Sequence, residues 1–404
     1  MNILFLSLSK FENLYENQIY NDIFKELAKR GHKINIICPQ IEDNRRDEMY
    51  PNIHIHRVSI GEVRNVNKII KGIKTITLEK KYKKVIKQKI LINDIDVIMY
   101  STPPITFNNI IKDVKRINKK VKSVLLLKDI FPQNAVDLNY IKKSSLIHKY
   151  FSKREKDLYM RSDLIGCMSE ANKAFLTTNH PYINKDKIFL FRNSLYKNKL
   201  VYNLQEKKEI FKKYNLDLNK ILFVYGGNLG KPQYFEGIKH FIKNFNKVPE
   251  SQFLIIGDGT EYQKLDRLIE ESGNTDIHLH KKVSKNNFDK IMNYADVGMI
   301  FLDPRFTIPN FPSRFTSYLD FEKPILAATD EATDIKDVIE DNDVGLWSHA
   351  TDYELLINNA IKLCDDNVRK KYASNAKELF VRDYSIEKNI DTLIRVIENY
   401  EKSI

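Results

Sequence analysis

The chain of 404 residues is 42% hydrophobic and 29% charged, so it can bury a core and is excluded from the class of intrinsically disordered proteins. Its length exceeds what a single hydrophobic core usually supports, so we expect two domains. The formal net charge of +13 favours anionic partners such as phosphorylated small molecules, nucleic acid or an acidic membrane surface, and a Lys-rich composition of the whole genome is the competing explanation.

The cysteines and the first residues indicate a reducing compartment. Cys38, Cys167 and Cys364 lie far apart without the spacing of a metal site, so we expect free thiols. The opening MNILFLSLS is short and has no basic leader, so it predicts a first strand and not a signal peptide. No run approaches the roughly 20 apolar residues of a membrane span. We therefore predict a cytoplasmic protein, either soluble or peripheral on the inner face of the membrane.

Strand-like apolar runs alternate with helical stretches through residues 1–200. In chain order the runs are ILFLSLS, KINIICP, IHIHRVSI, DVIMYST, SVLLLKD, LIGCMS and KIFLFRN. The stretch NQIYNDIFKELAKRG repeats apolar residues at spacings of three and four and ends at Gly31, as a helix does. This alternation predicts a first domain built on a doubly wound parallel sheet.

A strongly basic segment from Arg64 to Lys89 interleaves Lys with Ile, Val and Tyr. Such a segment can lie on anionic lipid, but the solvated face of an ordinary Lys-rich helix has the same composition. No helix-turn-helix, zinc spacing or aromatic RNA-binding signature accompanies the positive charge, so nucleic acid is not predicted as a partner.

The pattern restarts after a polar passage at 196–220. The second set of runs is ILFVYGG, QFLIIGDG, IHLHKKV, DVGMIFL, PILAAT and VGLWS. We predict a second domain over 201–380, and a C-terminal helix at 381–404 that packs back on the first domain. The fold class is therefore α/β, with two Rossmann-like doubly wound domains facing a cleft.

Glycine-rich loops follow the first two strands of the second domain. In GGNLGKPQ, Gly226, Gly227 and Gly230 let backbone amides approach a ligand, and Lys231 adds a positive charge. The next strand ends in GDG, at Gly257, Asp258 and Gly259. A tight turn is the alternative for either loop alone, but both lie at the carboxyl edge of the predicted sheet, where ligands of α/β sheets bind.

The stretch NFPSRFTSYLDFEKPILA joins two buried strands through a short helix. Ser313 can cap that helix and Arg314 follows it, so backbone N–H groups and a guanidinium converge where an anion would bind. A dinucleotide enzyme is disfavoured, because Tyr262 stands where the GxGxxG fingerprint needs its third glycine and SLSKFEN contains none.

These motifs resemble glycosyltransferase family 4 of the GT-B fold. The resemblance rests on YGGNLGKPQ, FLIIGDGTEYQKL, ADVGMIFL and PSRFTSYLDFEKPILA, with weaker agreement in RGHKINIICP and SDLIGCMSEANKAFL. It implies that the second domain holds a nucleotide-diphosphate sugar, that the first holds the acceptor, and that transfer retains the anomeric configuration. It also implies no metal and no further cofactor.

The resemblance assigns roles to individual residues. Gly227 and Asn228 match the loop beside the donor phosphates, and Pro312, Ser313 and Arg314 match a Pro-Ser-Lys/Arg turn. Arg314 would bind the diphosphate and stabilise charge on the leaving nucleotide. The predicted donor-binding residues are Gly226, Gly227, Asn228, Lys231, Gly257, Asp258, Gly259, Pro312, Ser313, Arg314 and Ser317.

Four positions depart from the family pattern. Pro309 and Ser317 stand where many members have glutamates, and Asn228 and Gln233 stand where many have Arg and Lys. The pattern resembles instead a branch of bacterial surface-polysaccharide assembly, such as capsule or O-antigen synthesis, that includes transferases of N-acetylated amino sugars. Ribose contact and donor identity are therefore left open.

The first domain offers weaker candidates. Lys128 and Asp129 end a predicted strand; Asp129 either binds a substrate hydroxyl as a catalytic residue or caps the following turn. Glu12 and Asn17 follow the first strand and are candidates on the acceptor side.

The sequence thus predicts a retaining glycosyltransferase. We expect its donor to be a nucleotide-diphosphate sugar, with UDP as the preferred nucleotide, and its acceptor to be glycan or lipid-pyrophosphate-linked. The alternatives are a UDP-sugar 2-epimerase of the same fold and a non-catalytic subunit that binds glycan or nucleotide.

Overall fold

The computed structural model describes residues 1–40, 50–59 and 68–402, and the side chains of 68–77 lie outside that description. The described chain divides into two compact units. The first comprises Met1–Ser194 together with Ile386–Ile404, and the second comprises Leu195–Ser385. The sequence placed the corresponding divisions after residues 200 and 380.

The first unit is built on a parallel sheet whose described strands run in the order β3-β2-β1-β4-β5-β6-β7. The strands are β1 (Asn2–Leu6), β2 (Lys33–Pro39), β3 (Ile53–Val58), β4 (Val97–Ser101), β5 (Lys122–Leu127), β6 (Leu164–Cys167) and β7 (Ile188–Leu190). The helices are α1 (Ile19–Lys29), α2 (Lys68–Lys89), α3 (Asn108–Ile117), α4 (Gln133–Asp137), α5 (Leu146–Arg161), α6 (Glu170–Asn179) and the C-terminal α15 (Ile386–Lys402), which contacts α1.

The second unit repeats the design with the strand order β10-β9-β8-β11-β12-β13. Its strands are β8 (Ile221–Asn228), β9 (Ser251–Asp258), β10 (Ile277–Lys281), β11 (Val297–Phe301), β12 (Ile325–Thr329) and β13 (Gly345–His349). The helices are α7 (Leu204–Lys213), α8 (Phe235–Asn244), α9 (Tyr262–Ser272), α10 (Lys285–Tyr294), α11 (Ser313–Asp320), α12 (Ile335–Asp341), α13 (Tyr353–Lys362) and α14 (Asp366–Leu379).

Every strand predicted from the sequence is present, and the predicted fold class of two doubly wound α/β units is confirmed. The physical cause is visible in the burial pattern. All five residues of β4, β11 and β12 are buried, because helices cover both faces of a parallel sheet and leave no solvent side.

The strand order fixes where a ligand can bind in the second unit. β8 and β11 are neighbours, and from them the chain proceeds to β9 on one side and β12 on the other. The loops that follow β8 and β11 therefore leave the sheet toward opposite faces and open a crevice at the carboxyl edge.

Helix α11 is anchored beneath this crevice by its apolar face. Phe315, Tyr318 and Leu319 are buried, and the Tyr318 hydroxyl donates a 3.0 Å hydrogen bond to the Met299 carbonyl of β11. Gly298 makes room for the ring, since a Cβ there would lie 2.4 Å from Tyr318. The first turn of α11 is thereby held next to the ends of β8 and β11.

Within the described residues no helix is both long and apolar enough to cross a bilayer. Cys38, Cys167 and Cys364 all lie within the described residues and form no disulfide there, as predicted.

Candidate functional site

The loop after β8 is closed by a side-chain bridge from Gln233. Its Oε1 accepts hydrogen bonds from Asn228 Nδ2 at 2.9 Å and from the Gly230 N–H at 3.2 Å. Lys231 is exposed on the short helical turn Lys231–Gln233. The two positions that depart from the family's cations, Asn228 and Gln233, are thus bonded to each other, which the sequence could not reveal.

The loop after β9 is hydrogen-bonded to the loop after β8. The Leu229 N–H donates to the Asp258 carbonyl, and the Glu261 N–H donates to the Leu229 carbonyl, both at 2.9 Å. Gly257 and Gly259 permit this contact, because a Cβ would lie 2.1 Å from the Gly227 oxygen in the first case and 2.3 Å from the Leu229 oxygen in the second. These glycines allow the two loops to pack on each other, and their contact with a ligand stays a prediction.

The loop after β11 joins the same group. The Asp303 N–H donates a 2.9 Å hydrogen bond to the Pro232 carbonyl. The buried Asp303 carboxylate binds the Arg305 guanidinium through two contacts, at 2.8 and 2.6 Å. Pro309 is buried farther along this loop. The three loops that the sequence predicted on one edge therefore meet there.

Arg314 lies on the first turn of α11, next to the end of β8. Its Cζ is 4.5 Å from the centre of the Tyr225 ring, which suits a guanidinium resting on an aromatic face. The prediction that Ser313 caps α11 is wrong by one position: Pro312 is the N-cap, and Ser313 is the first helical residue. The φ of Pro312 is compatible with a helix, but its ψ is not, because the backbone there is extended (φ −73, ψ 136). The first helical residue is therefore Ser313.

The Arg314 guanidinium is poised for an anion that the chain itself does not supply. Nη1 is buried, and no group in the described chain hydrogen-bonds to it. A buried, charged donor without a partner costs on the order of 1–3 kcal/mol, and an oxyanion brought next to it would recover that cost. Arginine stays protonated at physiological pH, so its charge is permanent.

Gly227 forms the floor under Arg314. Its φ of +142 is accessible to glycine, and a Cβ at this position would lie 3.0 Å from Arg314 Nη2. The neighbouring position 226 requires glycine for a different reason: a Cβ there would lie 2.2 Å from the Phe288 ring. Gly227 and Asn228 are exposed at this edge, so the backbone beside the guanidinium is open.

Tyr225 and Asp330 belong to the site but were missed from the sequence. Burial raises the pKa of Tyr225, so the phenol stays neutral, and its hydroxyl donates to the Asn228 carbonyl at 2.8 Å. Asp330 follows β12 and is 1% exposed; its Oδ1 accepts the N–H groups of Ala332 and Thr333, whereas no hydrogen-bond donor in the described chain reaches Oδ2. An aromatic residue directly before GG and an Asp directly after a buried strand are the signals that could have found them.

Ser317 lies one turn beyond Ser313 on α11 and is half-buried. Asp258 is exposed, and its carboxylate accepts the N–H of Gly259 at 2.9 Å. Both side chains belong to the elements that form the crevice.

The first unit carries a second polar cluster at the end of β5. Thr102 Oγ1 accepts the N–H groups of Lys128 and Asp129, each at 3.1 Å, and Lys128 Nζ donates to Asn193 Oδ1 at 2.7 Å. Burial raises the pKa of Asp129 to about 6 and lowers the pKa of Lys128 to about 7. A carboxyl and an amine that both titrate near neutral pH suit proton handling at a binding site. The N-cap of α4 is Pro132 and not Asp129.

The two acceptor-side candidates occupy different environments. Glu12 is exposed in the loop after β1. Asn17 is half-buried, and its Oδ1 accepts a 3.1 Å hydrogen bond from Lys25 Nζ, which also pairs with Asp22. Asn17 therefore orders the start of α1.

Only part of the basic segment at 64–89 can be assessed: 64–67 lie outside the described residues, and α2 begins at Lys68. In its described half the apolar residues Leu78, Tyr82 and Ile86 are buried, and lysines face solvent. An outward apolar face, which lipid binding by this half requires, is absent among the described side chains 78–89. The described half of this basic segment therefore fits the alternative, the solvated face of an ordinary Lys-rich helix.

In the parts of the chain that the structure describes, no three His, Cys, Asp or Glu side chains group as metal ligands would. Two Asp-x-Asp triplets occur, Asp94–Asp96 and Asp341–Asp343, and both precede a strand, at the amino ends of β4 and β13. A hollow of about 650 Å³ also lies at the amino edge of the second sheet, where Lys220, Ser251 and Asp276 line it. The converging loops occupy the opposite, carboxyl edge.

Comparison with known proteins shows what this chain is similar to. Residues 206–379 match the model of the family "Glycosyl transferases group 1". The chain is 23% identical over 229 residues to the probable glycosyltransferase WbjE of Pseudomonas aeruginosa, a match that covers 56% of each chain. It is 24% identical over 190 residues to a UDP-Gal:alpha-D-GlcNAc-diphosphoundecaprenol alpha-1,3-galactosyltransferase of Escherichia coli, covering 44% of this chain and 45% of the relative. The chain thus spans about half the length of these curated relatives.

Among solved structures, sucrose-phosphate synthase of Thermosynechococcus elongatus superposes with a TM-score of 0.77 at 13% identity, over 100% of both chains. At that identity the likeness establishes the fold alone. The matches to the family model and to the two curated relatives confirm the predicted resemblance to glycosyltransferases. The family-model match at 206–379 lies within the unit that holds Arg314 and the glycine loops.

Proposed function

We propose, from the match of residues 206–379 to the model of the family "Glycosyl transferases group 1", that the chain is a retaining glycosyltransferase that takes its sugar from a UDP-linked donor. The acceptor we propose is a glycan or a lipid-pyrophosphate-linked saccharide of bacterial surface-polysaccharide synthesis, such as capsule or O-antigen. The name of the Escherichia coli relative, a UDP-galactose transferase acting on a diphosphoundecaprenol acceptor, supports this choice, and the Pseudomonas aeruginosa relative is named a probable glycosyltransferase.

The observation that carries the proposal is the buried Arg314 Nη1 without a hydrogen-bond partner in the described chain. A nucleoside diphosphate would lie at the carboxyl edge with its phosphates between this guanidinium and the exposed backbone of Gly227 and Asn228. Arginine's planar fork matches phosphate oxygens in a bidentate way.

Charge grows on the diphosphate as the bond between the sugar and its phosphate breaks. Arg314 would stabilise the departing UDP, and the rigid Tyr225 ring would hold the guanidinium in place before the reaction begins. The phosphate itself can accept the proton of the acceptor hydroxyl, so no dedicated protein base is required. No metal or further cofactor is part of this proposal.

In the first unit we propose that Asp129 accepts a hydrogen bond from a substrate hydroxyl. Its carboxyl has a raised pKa and is held next to the similarly buried Lys128. The experiment that separates this role from a structural one is the pH profile of turnover, which Asp129→Asn would flatten near pH 6 if the carboxyl acts in the reaction.

The direct test is the removal of the Arg314 guanidinium. We expect Arg314→Ala to weaken UDP binding in calorimetry by on the order of 10- to 100-fold, as for a lost charge-assisted contact. UDP release from a panel of UDP-sugars with acceptor should fall by roughly 100-fold or more.

Arg267→Ala, which removes an exposed arginine from α9, is the matched control and should leave both quantities unchanged. Arg314→Lys should recover part of the binding. Near-normal UDP affinity in a folded Arg314→Ala protein would refute the diphosphate assignment. Turnover of donor without any acceptor would indicate epimerase chemistry, and UDP binding without turnover over the panel would indicate a binding subunit.

A further inference from the structure

A stretch of 17 residues in the first unit, 138–154, contains no Asp or Glu. It runs LNYIKKSSLIHKYFSKR, from the end of α4 into the first half of α5, and carries Lys142, Lys143, Lys149, Lys153 and Arg154. The charge of this segment is therefore of one sign, in a chain where acidic residues are otherwise frequent (53 Asp and Glu).

Large apolar side chains project from the same segment. Leu146 is 84% exposed, the highest value for any large hydrophobic side chain described here, and its neighbours Ile147 and Tyr150 are 59% and 43% exposed. Scattered single hydrophobic residues on a surface need no explanation, but three within the first five residues of one helix form a patch. We name Leu146, Ile147, Tyr150, Lys142, Lys143 and Lys149 the α5 patch.

Packing within the unit does not account for these exposed positions. Ser145 caps α5 by accepting the His148 N–H at 3.2 Å, so the helix start is ordered without help from Leu146 or Ile147. The inward face is supplied by Phe151, whose ring lies 4.9 Å from that of Phe131, and by Leu158 and Tyr159, which are buried.

Helix α2 provides an internal comparison. It also presents lysines to solvent, but its described apolar residues Leu78, Tyr82 and Ile86 point into the core. Helix α3 contacts both α2 and α5, so the two basic helices belong to one layer of the unit. In contrast to the described side chains 78–89 of α2, α5 combines outward lysines with outward apolar side chains.

We propose that the α5 patch docks the protein on an anionic lipid bilayer. Leu146 and Ile147 would enter the boundary between headgroups and acyl chains, while Lys142, Lys143 and Lys149 meet the negative headgroups. Tyr150, with the Arg154 guanidinium 5.2 Å from its ring centre, has the amphipathic character of residues at that boundary. Docking by the α5 patch requires only its exposure and charge and is independent of the proposed transferase activity.

The test is co-sedimentation of the full chain with phosphatidylcholine vesicles that contain phosphatidylglycerol, against vesicles of phosphatidylcholine alone. We expect the protein to bind the anionic vesicles, and we expect binding to weaken with added salt because the headgroup attraction is screened. Leu146→Ser with Ile147→Ser should reduce partitioning at least tenfold. Lys142→Gln with Lys143→Gln and Lys149→Gln should reduce it on the order of 100-fold, since each basic residue at an anionic surface contributes about a factor of five.

Two matched controls remove equal numbers of exposed groups elsewhere. Val201→Ser with Tyr202→Ser replaces side chains that are 65% and 70% exposed, and Lys80→Gln with Lys84→Gln and Lys87→Gln removes three exposed positive charges from α2. Both controls should sediment like the unaltered chain.

Equal sedimentation of the patch variants and the unaltered chain would overturn the proposal, as would the absence of any binding to anionic vesicles. A patch variant that abolishes self-association in solution while vesicle binding stays intact would assign the surface to a second copy of the chain instead. UDP affinity, measured on the same variants, should not change; this separates a failure of the docking surface from a failure of the proposed function.

Discussion

Arg314 and Gly227 depend on each other at the level of single residues. The guanidinium rests on the Tyr225 ring, and the missing side chain of Gly227 leaves the space that Nη2 fills. The arginine is aimed by these two contacts, and no carboxylate among the described residues holds it. The Arg314 guanidinium can therefore bind a ligand without first breaking an ion pair.

A methyl group at Gly227 should disturb the site more than it disturbs the fold. We expect Gly227→Ala to weaken UDP binding at least tenfold, because the new Cβ would lie 3.0 Å from Arg314 Nη2 and because φ of +142 is strained for alanine. Calorimetry with UDP and thermal unfolding measure the two effects.

Gly273→Ala is the control for backbone strain alone. This glycine also has a positive φ, +62, but a Cβ there meets nothing within 4 Å. It should cost about 1 kcal/mol of stability and leave UDP affinity unchanged. If both variants bind UDP equally well, the close approach of Gly227 and Arg314 does not contribute to UDP affinity.

At the scale of elements, the carboxyl edge is a set of loops fastened to one another by backbone hydrogen bonds. Leu229 links the first loop to the second, Pro232 links it to the third, and Gln233 closes it internally. Such bridges hold backbone N–H groups in one arrangement, which lowers the ordering cost when an anion binds.

Gln233→Ala should loosen the loop after β8. It removes two hydrogen bonds, and it leaves the Gly230 N–H without its acceptor at a buried position. We expect a loss of about 1–2 kcal/mol in unfolding free energy and a several-fold weaker affinity for UDP. Gln205→Ala, which removes an exposed hydrogen bond to Glu209, should change neither quantity. Unaltered UDP affinity in Gln233→Ala would show that the bridge serves stability alone.

At the scale of the whole molecule, several carboxyl groups lie where burial outweighs the favourable interactions of their negative charge. Burial raises the pKa values of Asp129, Asp320 and Asp330 to about 6. A raised folded-state pKa means that the folded chain holds the proton more tightly than the unfolded chain does. Each group therefore costs nothing below about pH 4, destabilises the fold increasingly as the pH rises to about 6, and exerts its full penalty above that.

Asp330→Asn should remove one of these penalties. The amide oxygen can still accept the Ala332 and Thr333 N–H groups, while the buried negative charge is gone. We expect the variant to match the unaltered chain near pH 4 and to be more stable above pH 6 by on the order of 2 kcal/mol, measured by denaturant unfolding across this range. Asp341→Asn, at an exposed helix end, is the control and should show no such divergence. A variant that is less stable at pH 7 would mean that the ionised Asp330 is stabilised in the fold.

Sequence by itself determined the architecture of this protein. A fully buried parallel strand must be a short, nearly continuous apolar run, so the strand pattern, the two doubly wound sheets and the edge that carries the glycine loops follow from local composition. The motif residues around Arg314 were found for a related reason, because glycine, proline and serine at strand and helix ends are constrained by the local backbone.

Only the tertiary structure decided what those residues touch. The pairing of Asn228 with Gln233, the Tyr225 ring beneath Arg314, the buried Asp330, the outward face of α5 and the inward apolar face of α2 all join or orient residues through the packing of separate elements. A local pattern shows that an apolar or polar side chain is present; which face of its element meets the core depends on the neighbours that arrive from elsewhere in the chain.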